Sequence, residues 1–153
     1  IEVWISGKSE QQISMPHLPI ILDQDGDKGP MEGVYRAFQY DSGSYWMIIA
    51  CDLFFVQDQD ISRLIYEMDT NFEAIAYYDS EIQSPFPLFS ILSPALNNII
   101  TESYLRGNKS LRDVLQKAKC KTIIPGTTKI LNSINTLTDF ENWKISTGQN
   151  ECL

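Results

Sequence analysis

Six consecutive residues with almost no polarity, 45–50 (Tyr-Trp-Met-Ile-Ile-Ala), constrain this chain more than any other stretch. A run of that length without alternation suits a strand buried on both faces, as in a parallel sheet covered by helices. It stops at one carboxylate, Asp52, and Leu53, Phe54 and Phe55 follow. Ligands of open α/β sheets bind at the carboxyl ends of the strands. An Asp leaving a central strand is therefore placed to hold a divalent metal on a phosphate. Asp is equally a residue that caps turns, and spacing alone leaves both roles open.

The flanking pattern is that of alternating strands and helices. Residues 1–6 alternate apolar and polar and predict a strand. Residues 8–18 are polar and predict a loop with at most a short helix, in which His17 sits near two prolines without assigned chemistry. Residues 19–22 predict a short strand ending at Asp23. The loop that follows alternates Asp23, Asp25 and Asp27, but lacks the Gly and the twelfth-position Glu of a calcium-binding EF-hand loop. Pro30 suits a first helical turn, and Met31, Val34, Tyr35 and Phe38 share a helix face up to residue 40. Strand, helix and strand in this order predict a right-handed crossover.

Further on, the pattern predicts a helix over 61–68 capped near Gln59 or Asp60, and a strand over 72–78. A second strand covers 86–92, confined to an edge or an end by Pro87. Ser93 and Pro94 open a helix that Gly107 closes. Ser110 caps a helix over 111–118. Short strands follow at 121–125 and near 130–132, then a last helix capped by Thr138 with Trp143 packing. The expected domain is 1–145, with 146–153 a frayed tail.

With 12 basic and 20 acidic residues the chain carries a net charge of -8, which argues against a nucleic-acid surface. No apolar run reaches membrane-spanning length, so neither a membrane nor a nucleic acid is an expected partner. Three cysteines without ligand spacing point to a reducing, cytoplasmic setting, with Cys51 expected as a small buried residue.

Four ordered segments bring a family into view. They are Asp23 with Gly29-Pro30-Met31-Glu32-Gly33; Ala50-Cys51-Asp52-Leu53-Phe54-Phe55; Pro87-Leu88-Phe89 with Gly107-Asn108-Lys109-Ser110-Leu111; and Ile134-Asn135-Thr136-Leu137-Thr138-Asp139-Phe140. In order and spacing they resemble the molybdenum cofactor guanylyltransferase family, with its GPL-x-G, CD-x-P-F, PL-x-ALY, G-x-x-SL and N-x-NTPEDL segments.

The resemblance implies a Rossmann-like nucleotidyltransferase of three layers with a mostly parallel sheet. It implies transfer of GMP from GTP to molybdopterin, with release of pyrophosphate and dependence on Mg2+; molybdoenzymes or cofactor-insertion proteins would receive the product. By position, Asp52 would be the catalytic magnesium ligand and Asp23 would lie near the ribose or metal. Gly29 and Pro30 would shape the guanine side, Ser6 would line the same edge, and Ser133 and Asn135 would lie on the pterin side. Phe54 and Leu137 stand where the family has Pro, and Ser133 where it often has Asn. The family's Gly-rich phosphate loop and first strand have no counterpart here, so an upstream segment is expected to supply them. Two other readings stay open: a cytidylyltransferase or sugar-phosphate enzyme of the same fold, and a non-catalytic binding domain that lost the loop.

Overall fold

The computed structural model describes residues 1–7, 17–24 and 29–147. In chain order the elements are β1 (Ile5–Gly7), β2 (Ile20–Leu22), α1 (Pro30–Tyr40), β3 (Trp46–Ile49), α2 (Asp58–Tyr66), β4 (Ala74–Asp79), β5 (Ser84–Leu92), α3 (Asn97–Leu105), α4 (Leu111–Lys117), β6 (Cys120–Ile123) and α5 (Leu137–Thr147). The main sheet has the order β3-β5-β4-β6. Because β5 is antiparallel to both β3 and β4 while β4 and β6 are parallel, three of its strands point one way and only β5 points the other. β1 and β2 form a separate parallel pair.

The main sheet divides the core in two. Ala74 and Ala76 of β4 face a cluster built from α1, α3 and α4, including Met31, Phe38, Ile100 and Leu115. Ile75 and Tyr77 face the opposite cluster, with Leu53, Leu64, Phe89 and Ile130. Two alanines on one face leave room for three helices to come close, while Ile75 and Tyr77 fill the other side. The Tyr77 hydroxyl donates to the Asp60 carbonyl at 2.9 Å, so this fully buried ring brings no unpaired polar group with it.

The strand buried on both faces is therefore β4, not the run at 45–50. Trp46 and Ile48 pack toward the first cluster and Met47 and Ala50 toward the second, yet Ile49 remains 41% exposed. The reason is its place in the sheet: among the described residues β3 is hydrogen-bonded on one side only, whereas β4 has a neighbour on both. The predicted crossover also changes meaning. Strand, helix and strand form as expected, but β2 and β3 belong to different sheets.

Several boundaries differ from the sequence expectation. Strand pairing in the first segment is limited to β1, and residues 1–4 lie outside it. The second helix starts earlier, at Asp58, because Gln57 and Asp60 form a reciprocal capping box. Pro87 sits inside β5, between two neighbours rather than at an edge. It is tolerated because the ladder to β4 shifts register there and the ladder to β3 ends at Phe89. Residues 94–96 form a 3-10 turn before α3, and the expected strand near 130–132 is instead a 3-10 turn, Thr128–Leu131, whose Ile130 and Leu131 are buried. The last helix is capped by Thr136 rather than Thr138: the Asp139 N–H donates to Thr136 Oγ1 at 3.1 Å, and the Thr136 N–H donates to Asp139 Oδ2 at 3.0 Å. It continues to Thr147, past the start of the expected tail, whose residues 148–153 lie outside the described ones. So do most of the loop expected over 8–18 and the centre of the acidic loop, 25–28. Ser110 caps α4 as expected, accepting the Asp113 N–H at 3.2 Å.

Candidate active site

The end of β3 is fixed by the backbone. The Ala50 N–H donates to the Leu88 carbonyl of β5 at 2.9 Å, and the chain then turns, with the Leu53 N–H returning to the Ala50 carbonyl at 3.3 Å. Leu53 is buried in the second cluster and anchors the turn. Asp52 between them is half-buried, and its Oδ1 is buried with no hydrogen-bond partner. A carboxylate oxygen removed from water without a donor is costly, and an ion is one of its ordinary explanations.

Asp52 also receives a second segment. The Ile134 N–H donates to its backbone carbonyl at 2.9 Å, which places the loop carrying Ser133 and Asn135 against the β3 turn. Both side chains are exposed. Phe54 reinforces this contact, meeting Phe140 and Trp143 of α5 edge-on, with ring centroids 5.5 and 5.0 Å apart. Cys51, expected to be buried, is exposed beside Asp52, because it stands in the turn after the ladder. Cys120 is the more enclosed thiol, and burial pushes it up to about 11, which keeps it protonated and inert.

Ser6 and Asp23 meet at the ends of β1 and β2. The Ser6 hydroxyl donates to Asp23 Oδ1 at 3.4 Å, and the Asp23 N–H donates to the Gly7 carbonyl at 3.1 Å. Gly29 begins α1 with φ +55° and ψ -148°, a conformation that glycine alone adopts at low cost. It caps the helix without a side chain: Pro30 brings no N–H, and the Glu32 N–H donates to the Gly29 carbonyl at 3.0 Å.

Pro30 lines a shallow pocket shared with Pro87 and Leu88 of β5 and with Lys109 and Arg112 at the start of α4. The pocket adjoins the end of β3, since Leu88 is the residue bonded to Ala50. Its lining contains two cations and no carboxylate, in a chain of net charge -8. The Arg112 Nε is buried without a hydrogen-bond partner. Such a pocket suits an anion.

The predicted residues thus form two groups: Ser6 and Asp23 on the small sheet, and Asp52 with the Ser133–Asn135 loop on the main one. Gly29 and Pro30 stand at the head of the helix that follows β2. Sequence reasoning missed Lys109 and Arg112 as a cationic pair around the Ser110 cap. It also missed Glu32, whose signal was an Arg four residues later on the same helix.

Among the described residues no group of three or more His, Cys, Asp or Glu gathers as a metal site. That is compatible with magnesium, which is usually held by one or two carboxylates together with substrate phosphates. The unpartnered Asp52 oxygen is of the ligand type that such a site uses.

Residues 1–122 match the family described as the MobA-like NTP transferase domain. The chain is 28% identical over 141 residues to a molybdenum cofactor biosynthesis bifunctional protein of Synechocystis, covering 91% of this chain but only 41% of that protein. In fold it is similar to molybdopterin-guanine dinucleotide biosynthesis protein A of Archaeoglobus fulgidus, with a TM-score of 0.70 at 15% identity over 86% of this chain and 69% of the other. A protein of Aquifex aeolicus is similar with a TM-score of 0.72 at 18% identity, over 88% and 71% of the two chains. At these identities the likeness establishes the nucleotidyltransferase fold. Among the described residues no helix is long and apolar enough to cross a membrane.

Proposed function

Starting from a chain that belongs to the MobA-like NTP transferase family, we propose that it transfers GMP from GTP to molybdopterin in molybdenum cofactor synthesis. An oxygen of the acceptor's terminal phosphate attacks the α-phosphorus of GTP. The bond from that phosphorus to the bridging oxygen breaks, and pyrophosphate leaves with the electron pair. No covalent protein intermediate is required, so positioning and charge neutralisation carry the catalysis.

The observation that carries this reading is the buried, unpartnered oxygen of Asp52 at the carboxyl end of β3. Asp52 would hold Mg2+, which when bound would neutralise charge on the phosphates. Ser6 and Asp23 would contact the nucleoside, and Gly29 and Pro30 would border the base. Lys109 and Arg112 offer an anion pocket at the same strand end, and Ser133 and Asn135 would face the pterin. The product would pass to a molybdoenzyme or cofactor-insertion protein. A cytoplasmic setting agrees with the free cysteines.

The test is to supply the whole protein with molybdopterin, Mg2+ and each of GTP, CTP, UTP and ATP in turn. Pyrophosphate and the dinucleotide product are then measured. We expect turnover with GTP at least about tenfold above the others, because a hydrogen-bonding base pocket rejects mismatched groups strongly. Turnover with CTP alone would replace guanylyl by cytidylyl transfer. Nucleotide binding without turnover would leave the non-catalytic reading in place of both.

A further inference from the structure

Glu32 is a buried charged side chain that the proposed chemistry does not use. It is 1% exposed in the first turn of α1. Its Oε1 accepts the Arg36 Nε at 2.8 Å and the Gln24 backbone N–H at 3.2 Å, and its Oε2 accepts the Tyr104 hydroxyl at 2.5 Å. Burial alone would raise its pKa, but donation from Tyr104, Arg36 and the Gln24 N–H outweighs that effect and holds it below the usual carboxyl value.

Two of these partners fix the helix itself. Arg36 lies one turn on, and Tyr104 joins α1 to α3 while its ring stacks on Tyr35 with centroids 3.9 Å apart. The third partner is of another kind. Gln24 directly follows Asp23 and leaves the end of β2, so its bond ties the Asp23 backbone to the head of α1. The next residue of the helix works to the same end. A Cβ at Gly33 would stand 2.2 Å from Ser6 Oγ and 3.2 Å from Ser6 Cβ, so a side chain there would turn the Ser6 hydroxyl out of its present position.

We propose that Glu32 is a positioning residue for the nucleotide edge, holding Asp23 through the Gln24 N–H and so keeping Ser6 and Asp23 in register on the first turn of α1. This rests on the reading of Asp23 as a nucleotide contact. Tyr104 and Arg36 meet the carboxylate from the helix side, at Oε2 and Oε1, and favour its charged form.

The experiment is a double-mutant cycle in the whole protein: Glu32→Gln, Asp23→Asn, the pair together, and Tyr104→Phe as a control that loosens the same network from the α3 side. GTP affinity with Mg2+ is read by calorimetry, the melting temperature reports folding, and amide exchange at Gln24 reports the bond itself. Glu32→Gln is expected to weaken GTP binding at least about fivefold, as loss of a charge-assisted bond does, and to speed exchange at Gln24. Tyr104→Phe is expected to stay within about twofold in affinity despite a lower melting temperature. In the Asp23→Asn background Glu32→Gln is expected to add no further loss, because residues acting through one another are not additive. A loss that adds in full, or an unchanged affinity in Glu32→Gln, overturns the assignment. If Glu32→Gln does not fold, Glu32→Asp, with a shorter reach to Gln24, takes its place with the same criteria. Wild-type protein that binds none of the four nucleotides overturns the functional reading itself, and this assignment with it.

Discussion

Asp52 and Glu32 are both partly or wholly withdrawn from water, and their surroundings set them apart. Glu32 is answered by three donors, while the Oδ1 of Asp52 is answered by none. Asp52→Asn should therefore leave the melting temperature unchanged or slightly higher, since it removes a charge from an oxygen the fold does not satisfy. Nucleotidyl transfer should fall by at least about a hundredfold, the scale of losing a metal-bound carboxylate. Near wild-type turnover would reduce Asp52 to a turn residue. Glu32 predicts a pH dependence of opposite origin. Its folded pKa lies below the ordinary value of 4.5, so its stabilisation is complete above that value and is lost as pH falls through the folded pKa. The melting temperature of wild type minus that of Glu32→Gln should be constant above about pH 5 and should shrink below about 4.5. A flat difference would mean that Glu32 is not held as a charge. Asp52 was legible in the sequence because a carboxylate ending an apolar run is a local pattern. The Glu32 network was not, because two of its donors come from Gln24 and Tyr104, which only the fold brings near.

Helix α1 stands between the two parts of the candidate site, and Gly33 in its first turn lies against Ser6 of β1. Gly33→Ala tests that contact. Alanine favours a helix over glycine by about 1 kcal/mol, and the nearest clash is with the end of a side chain that can rotate. Stability should therefore stay within about 1 kcal/mol of wild type. The rotated Ser6 hydroxyl should lose Asp23, so GTP affinity should fall to the level of Ser6→Ala, as calorimetry would show. Equal affinity to wild type would mean that Ser6 takes no part. The pattern of elements was readable wherever local chemistry decides it: the Pro30 helix start, the Ser110 cap and the Gly107 stop, with φ +78°, all fall where expected. It failed where partners decide. Pro87 reads as an edge signal, but a register shift admits it between two strands. Ile130 and Leu131, a short apolar pair, read as strand, although the backbone there turns as 3-10.

At the scale of the whole molecule the described sheet is in two pieces, as the flanking strands β1 and β3 do not pair directly. Backbone alternation shows which groups face the unpaired edges. Ile5 donates to Pro19 and Ala50 donates to Leu88, so the neighbouring N–H groups of Ser6, Met47 and Ile49 point away from their partner strands. Amide exchange should be slow at Ile5, Ile48 and Ala50 and fast at Ser6, Met47 and Ile49. Strong protection at the latter three in a confirmed monomer would show that a further strand covers those edges. Direct closure of β1 onto β3 is not the arrangement found among the described residues. No local pattern could have decided this, because residues 45–50 carry the composition of a central strand whether or not both sides are paired.

The division has a consequence for how this protein melts. Ser6 and Asp23 ride on the smaller piece and Asp52 on the larger, so the two halves of the site are expected to open as separate units. The small unit, two three-residue strands seated on α1, should open at lower free energy than the sheet around β4. A nucleotide that touches both units becomes a tie between them, and its affinity must include the work of holding them together. Saturating GTP should then raise the opening free energy of the β1–β2 amides toward that of β4 and merge two transitions into one. Ligand occupancy would thus be visible as a change in the number of unfolding steps, not only in their temperature.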